Sequence, residues 1–307
     1  MTDGRGAEPA ELVFVGGTGR SGTHILGRLL GSHARFADVP IEARFHCNKR
    51  GMPDLLSGRV SLGGFMEKLR WFWWHRVRVD DQPRGLYNLM SRPRFDAAAE
   101  RFERTYHDEP VSACAALCRD LLWSACSEQG KPALVEMSSH NIKEAQTLRR
   151  LFPAARFVHT VRDGRDAASS VATKTWGPSR TVPAIAWWAD RLRAIDAGLR
   201  GEEDGGVFVL GPDRLHTLVL DDLVGGDREP AFAALLDFCG VAEDEGARAF
   251  FDGHMSAGQA HRGRWTEGVG PVERARVRRR YERTLAALAE ERNHVAAPLL
   301  DAYERLG

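Results

Sequence analysis

The sequence predicts an α/β fold, a mostly parallel sheet with helices on both faces and one insertion. Three observations predict it. From residue 111 onward, short apolar runs alternate with segments whose apolar positions recur at helical spacing, the rhythm of βαβ units. The chain opens with VFVGGTGRSGTHILGRLL (13–30), an apolar strand that passes through glycines directly into a helix. A second apolar strand, ARFVHTVRD, ends on charged residues and again leads into a helix. The 307 residues suffice for one large α/β domain. The chain is therefore read as a single domain, 1–307, with a cap-like insertion at about 47–110.

Taken in order, LVFVGG (12–17) is the first strand and about 24–32 the first helix. SHARFADVPIEARF follows with apolar residues and Pro40, a second strand and a connection. Residues 47–110 mix loop breakers, short helical patterns and the aromatic run WFWWH (71–75). Three tryptophans in four positions cannot share one face of a helix. The run is expected either to wall an apolar acceptor cleft or to pack the cap onto the sheet. ACAALCRDLLWSACSE is then a helix, PALVEMS a strand, NIKEAQTLRRLF a helix and ARFVHTVRD a strand. TVPAIAWWADRLRAIDAGL is a long amphipathic helix in which Trp187 and Trp188 are expected in the core. RLHTLVLDDL closes the sheet and PAFAALLDFCG returns as a helix.

Composition excludes several classes. Lys and Arg number 43 against 42 Asp and Glu, so bulk charge gives no reason to expect nucleic acid or an anionic membrane. Five cysteines without a CxxC pair signal neither a disulfide framework nor a zinc site, and no metal is expected. The first residues are polar and acidic, unlike a secretory leader, and no stretch reaches the roughly 18 apolar residues of a membrane span. A cytoplasmic protein is expected. An oligomer through the aromatic run or the arginine-rich helix at VERARVRRRYERTLAALAEE is compatible with the sequence, although such a charged face is usually just solvated.

The glycine turn is an anion site in outline. A strand that enters a helix through glycines leaves several N–H groups pointing at one spot. Gly16, Gly17, Gly19 and Gly22 permit the close approach, Ser21 and Thr23 add hydroxyls, and Arg20 adds a charged fork of donors. A nucleoside triphosphatase would end this loop in Gly-Lys-Ser/Thr. Here the place reads Gly22-Thr23-His24, which weakens an ATP and Mg²⁺ kinase. Downstream, Arg162 stands at a strand's C-terminal end, where parallel sheets bind ligands. Ser170 and Lys174 are four apart on the expected following helix and with Arg162 could clasp one phosphate. A structural ion pair is the alternative for that arginine.

Together, GRSGTH (19–24) resembles the 5′-phosphosulfate loop, and FVHTVRDGRDAASS (157–170) the 3′-phosphate motif, of sulfotransferases that use 3′-phosphoadenosine 5′-phosphosulfate (PAPS). The arginine and serine are eight apart, as in that family. SHARFADVPIEARF, LFPAARFVHTVRDGRD, VLDDLV and HRGRWTEGVGP (261–271) are similar to further family segments, so the likeness spans roughly 12–271, weakest at 47–110. The resemblance implies a P-loop-like fold and transfer of a sulfuryl group from PAPS, without a metal, to a hydroxyl or amine, leaving adenosine 3′,5′-bisphosphate (PAP). The best reading of the acceptor is a hydroxyl on a small metabolite or lipid-like molecule. Gly19, Arg20, Ser21, Gly22, Thr23 and His24 would hold the phosphosulfate, with Arg20 stabilising the leaving group. Arg162, Ser170 and Lys174, joined by Gly263 and Arg264 with Trp265 packed nearby, would hold the 3′-phosphate.

Glu42 resembles the catalytic glutamate of protein-tyrosine sulfotransferases, and burial in a partly apolar cleft is expected to raise its affinity for a proton. A salt bridge to Arg44 is the structural alternative. His140, placed as in cytosolic sulfotransferases, is the rival base. Two departures from the family stand out. Met137 occupies a place where many relatives have lysine, and Thr266 one where a basic residue is common. Ser138 keeps a hydroxyl there and is expected to bond the donor. Met137 leaves a catalytically silent PAPS-binding protein as an alternative, beside a P-loop kinase.

Overall fold

The computed structural model describes residues 11–76, 84–200 and 210–304. The polar tail at 1–10 and the stretch VRVDD (77–81) after the aromatic run lie outside the described residues. Five strands form the sheet: β1 (Leu12–Gly17), β2 (Phe36–Asp38), β3 (Ala133–Glu136), β4 (Arg156–Val161) and β5 (Leu215–Val219). Their spatial order is β2-β3-β1-β4-β5 and every pair is parallel. Each strand is a short apolar run because helices cover both faces, as all-parallel sheets require.

The order marks where a sheet of this kind would bind a ligand. The chain runs from β1 outward to β2, back to β3, and then crosses to β4 on the other side of β1. The crevice beyond the C-terminal ends of β1 and β4 is a topological switch point. Gly16 and Gly17 of β1 stand opposite His159 and Thr160 of β4 at that end. Alternation along β1 divides the core. Leu12 and Phe14 join the cluster under the insertion and the long helix, whereas Val13 and Val15 pack beneath the helix α1 (Thr23–Ser32) with Leu26, Leu29 and Leu30.

The insertion is helical, with helices Met52–Leu56, Leu62–Lys68 and Arg92–Thr105. A π-helical turn, Leu69–Trp73, holds the aromatic run. It turns Trp73 and Trp74 into the core, where Trp74 meets Phe95 at 4.5 Å, and leaves Trp71 and Phe72 at 68% and 52% exposure. Among the described residues no helix is long and apolar enough to cross a membrane.

Candidate active site

The loop between β1 and α1 is shaped by close backbone packing. A Cβ on Gly17 would lie 2.4 Å from Ser21 Oγ and 2.5 Å from the carbonyl oxygen of Thr160. Glycine therefore lets Ser21 fold under the loop, where its buried hydroxyl lies 3.0 Å from Thr160 Oγ1. Ser21 thus offers the site its backbone, not its hydroxyl. Gly22 caps α1 at φ 97° with no side-chain hydrogen bond, and the first turn holds no acidic residue. The uncapped N–H groups and the positive end of the helix dipole are left for an external anion.

Arg20 sits at this helix start with φ 60°, a left-handed conformation that is strained for arginine. Its Nε donates to Ser170 Oγ at 2.9 Å, so the two distant motifs meet. Arg162, just past β4, is 7% exposed; its Nη2 donates to the carbonyls of Ala260 (2.6 Å) and His261 (2.9 Å). Its Nε is buried without a partner.

Two cavities meet at the loop. One, of about 300 Å³, lies between Arg20, Arg162, α1 and the segment Gln259–His261. The other, of about 850 Å³, opens toward Glu42, His140, Trp176 and Trp187. Arg20, Thr23 and His24 line both.

Glu42 is held on three sides. Arg44 Nη2 donates to its Oε2, His24 Nε2 lies 3.6 Å from Oε1, and Arg76 Nη1 donates to its carbonyl oxygen at 2.9 Å. Burial opposes the charge of this carboxyl, but the neighbouring His24 and the Arg44 guanidinium outweigh burial and hold it well below the usual carboxylate range. The expected raised proton affinity is therefore reversed, because burial came with cations. Arg44, the partner, is again left-handed at φ 62°. Its backbone N–H donates to Ser138 Oγ at 3.2 Å, which anchors this loop to the end of β3.

That anchor is a fully buried polar network. Glu136 accepts from Ser138 Oγ (2.7 Å), Ser138 N (2.9 Å) and Asn141 Nδ2 (2.6 Å), and pairs with His46 Nε2 at 3.1 Å. Burial alone would neutralise both partners, yet His46 lowers Glu136, and the neighbouring Cys47 together with Glu136 raises His46. The pair pins the Glu42–Cys47 segment to β3.

A profile of the sulfotransferase family matches residues 12–245. The chain belongs to the sulfotransferase family. A search of curated protein sequences gives no match. Among solved structures, the sulfotransferase domain of a Synechococcus olefin synthase is similar at 18% identity and a TM-score of 0.52, over 92% of this chain and 96% of that one. The sulfotransferases STF1 of Mycobacterium tuberculosis and STF9 of Mycobacterium avium align at TM-scores of 0.46 and 0.44. Each is 15% identical, over 90% and 92% of this chain respectively and 77% of each of theirs. The five-strand parallel sheet flanked by helices is the P-loop-like fold shared with the Synechococcus domain.

In this sulfotransferase several residues lie elsewhere than their sequence position implied. The helix after β4, Gly164–Ala172, ends before Lys174, so Lys174 and Ser170 do not share a helical face. The Thr173 hydroxyl donates to the Ser170 carbonyl at 2.9 Å, which closes the helix. Lys174 lines neither cavity. The amides of Gly263 and Trp265 donate to Asp166 at 2.7 and 3.0 Å, so that carboxylate, and not a ligand, takes these donors. Arg264 points outward, with Glu267 3.7 Å away. Met137 is 2% exposed and packs against Gly27 of α1, so its side chain belongs to the core rather than the cleft. Ser138 is fully buried in the Glu136 network.

The aromatic wall also differs. None of Trp71, Phe72, Trp73 and Trp74 lines the large cavity; Trp176 and Trp187 do, their rings 5.7 Å apart. Trp188 is core, as its helical pattern indicated, while Trp187 one residue earlier faces the cleft. His140 lines the same cavity with its Nδ1 buried and unpartnered. Burial, then Arg44, Arg191 and Lys143, pushes its pKa down to about 4, so the ring is neutral near pH 7. Sequence reasoning gave His24 only a donor-binding place and missed its pairing with Glu42, a contact between residues 18 apart that no local pattern marks. Among the described residues no cluster of His, Cys, Asp or Glu could hold a metal ion.

Proposed function

We propose that this sulfotransferase moves a sulfuryl group from PAPS to a hydroxyl of a small-molecule acceptor. The observation that carries the proposal is the shared floor of the two cavities: Arg20, Thr23 and His24 face both, so a donor in one and an acceptor in the other meet over a single cation. The residues present fit the donor. The uncapped start of α1 suits the phosphosulfate, and the buried, unpartnered Arg162 Nε beside the smaller cavity suits a further phosphate. When bound, the donor supplies a sulfuryl group attached to a phosphate that leaves as PAP.

The chain's own residues then have distinct tasks. Arg20 neutralises charge that grows on the leaving phosphate, and its tie to Ser170 fixes the guanidinium in place. Arg162 holds the 3′-phosphate end, while Ser170, which lines neither cavity, serves by holding Arg20. A carboxylate kept as acidic as Glu42 is a weak proton acceptor. We assign it to orienting His24, whose imidazole takes the hydroxyl proton while Glu42 stabilises the resulting imidazolium.

The test is transfer of label from sulfur-labelled PAPS to a panel of hydroxyl acceptors. Wild type should label at least one acceptor and release PAP, and Arg162→Ala should raise the donor KM more than it lowers kcat. Labelled acceptor formed equally well by Arg162→Ala at low donor would contradict the assignment.

A further inference from the structure

The large cavity is strongly cationic, although the whole chain is near neutral. Eight Arg and Lys side chains line it against three carboxylates, Glu42, Asp54 and Glu144. The three carboxylates are already matched within the protein: Glu42 by Arg44, Asp54 by Arg59 at 2.7 Å, and Glu144 by Lys143 at 3.1 Å. Donor chemistry accounts for Arg20. It does not account for Arg191 or Lys49, neither of which has a carboxylate within ion-pair distance among the described residues. Arg191 instead lies over the ring of Trp187, 4.9 Å from its centroid.

The position of these cations is informative. Arg44, Arg191 and Lys143 line the same cavity as His140, and their charges add to burial in keeping its ring neutral. Beside them, Trp187 and Trp176 form the apolar wall of the same cavity. Low-dielectric walls lined by one sign of charge focus the field and concentrate ligands of the opposite sign. A neutral acceptor would leave Arg191 and Lys49 without a counter-charge in the cleft.

We propose that the hydroxyl acceptor is itself an organic anion. Its apolar body lies along Trp176 and Trp187, and its carboxylate or phosphate is held by Arg191 with Lys49. The proposal rests on the sulfotransferase reading of the cleft and names its substrate class. The hydroxyl is sulfated at Arg20, and the anion held by Arg191 with Lys49 sets the register of the molecule. Arg191 is a specificity-determining residue in this scheme.

The experiment titrates four probes into protein first saturated with PAP, followed by calorimetry: para-hydroxyphenyl phosphate, para-hydroxybenzoate, para-hydroxybenzamide and tyramine. A charge-assisted contact predicts that at least one anion binds about 10- to 100-fold more tightly than the neutral amide, with tyramine weakest. The two anionic arms separate a phosphate from a carboxylate acceptor. Arg191→Gln should remove most of the preference and Arg191→Lys should keep it, with PAP affinity and melting temperature unchanged in both. Equal binding of amide and anions, no binding by any probe, or a preference that survives Arg191→Gln together with Lys49→Gln would overturn the proposal. Failure of PAP to bind at the first step counts against the donor reading alone, because the anion preference is measurable on the free protein as well.

Discussion

Replacing Arg20 by alanine removes the cation that both cavities share while leaving the fold nearly untouched. Arg20 is exposed, and its Nε donates to Ser170 Oγ at 2.9 Å at the surface. Alanine at φ 60° is strained as arginine is, so the backbone term largely cancels between the two proteins. Loss of this exposed hydrogen bond should cost about 0.5–1.5 kcal/mol. The rate should respond far more. Removal of a single pre-placed stabiliser of developing charge typically lowers kcat by about 10²–10³-fold, or about 2.7–4 kcal/mol of transition-state stabilisation. PAP affinity should fall less than kcat, because the start of α1 and Arg162 still hold the phosphates. Initial-rate kinetics, with melting curves in parallel, would measure both. Arg20→Lys should recover part of the rate, since a point charge returns but the Nε–H bond to Ser170 does not. An Arg20→Ala protein that transfers at the wild-type rate would refute the role given to this residue.

Glu42→Gln should lower kcat by about 10²-fold or more, as the His24 imidazolium loses its counter-charge. The same carboxyl predicts a pH effect on stability. Its folded pKa is depressed below the ordinary 4.5, so its contribution is fully present above about pH 4.5 and is lost as pH falls through the folded value. Acid melting curves of wild type should therefore fall more steeply than those of Glu42→Gln; parallel curves would count against the ion pair. Glu136→Ala strips His46 of its buried partner and should destabilise the protein by about 3–5 kcal/mol, read by denaturant unfolding. A loss within experimental error would show that the network does not pin the Glu42 loop. Gly22→Ala forces a Cβ to φ 97° and to 2.8 Å from Leu220 Cδ2. The backbone cost is about 1–2 kcal/mol, and PAP affinity should drop as the loop shifts; unaltered affinity would separate the loop from the donor site.

The sheet was legible because each strand is a contiguous apolar run, and the loop because its glycines, hydroxyls and cation are consecutive in the chain. Arg162 was found for a similar reason, since it ends a strand, and the crevice lies at strand ends. What escaped depends on contacts between distant segments. Glu42 was expected to gain proton affinity from burial, with a salt bridge to Arg44 as the alternative; that salt bridge forms, and Arg76 and His24, which no local pattern marks, converge on the same carboxylate. Lys174 fell outside its helix because the Thr173 hydroxyl ends the last turn at the Ser170 carbonyl. The aromatic run drew attention by density alone. A π-helical turn then divided it between core and solvent, while the cleft took Trp176 and Trp187 from elsewhere in the chain. The cationic cleft was hidden by a balanced total charge, its residues being scattered from Arg20 to Arg191.

The central claim is that the two phosphate motifs hold one 3′-phosphorylated nucleotide. Thermal unfolding of the purified protein with PAP, with adenosine 5′-monophosphate, and with ATP plus Mg²⁺ tests it most directly. At about 100 times its dissociation constant a ligand stabilises by about 2.7 kcal/mol. With an unfolding entropy of about 2.1 cal/mol/K per residue, the 307 residues convert this to a rise of about 4 °C. The account predicts such a rise with PAP, a smaller one with the monophosphate that lacks the 3′-phosphate, and none with ATP and Mg²⁺. A rise with ATP and Mg²⁺ that PAP does not match would contradict it.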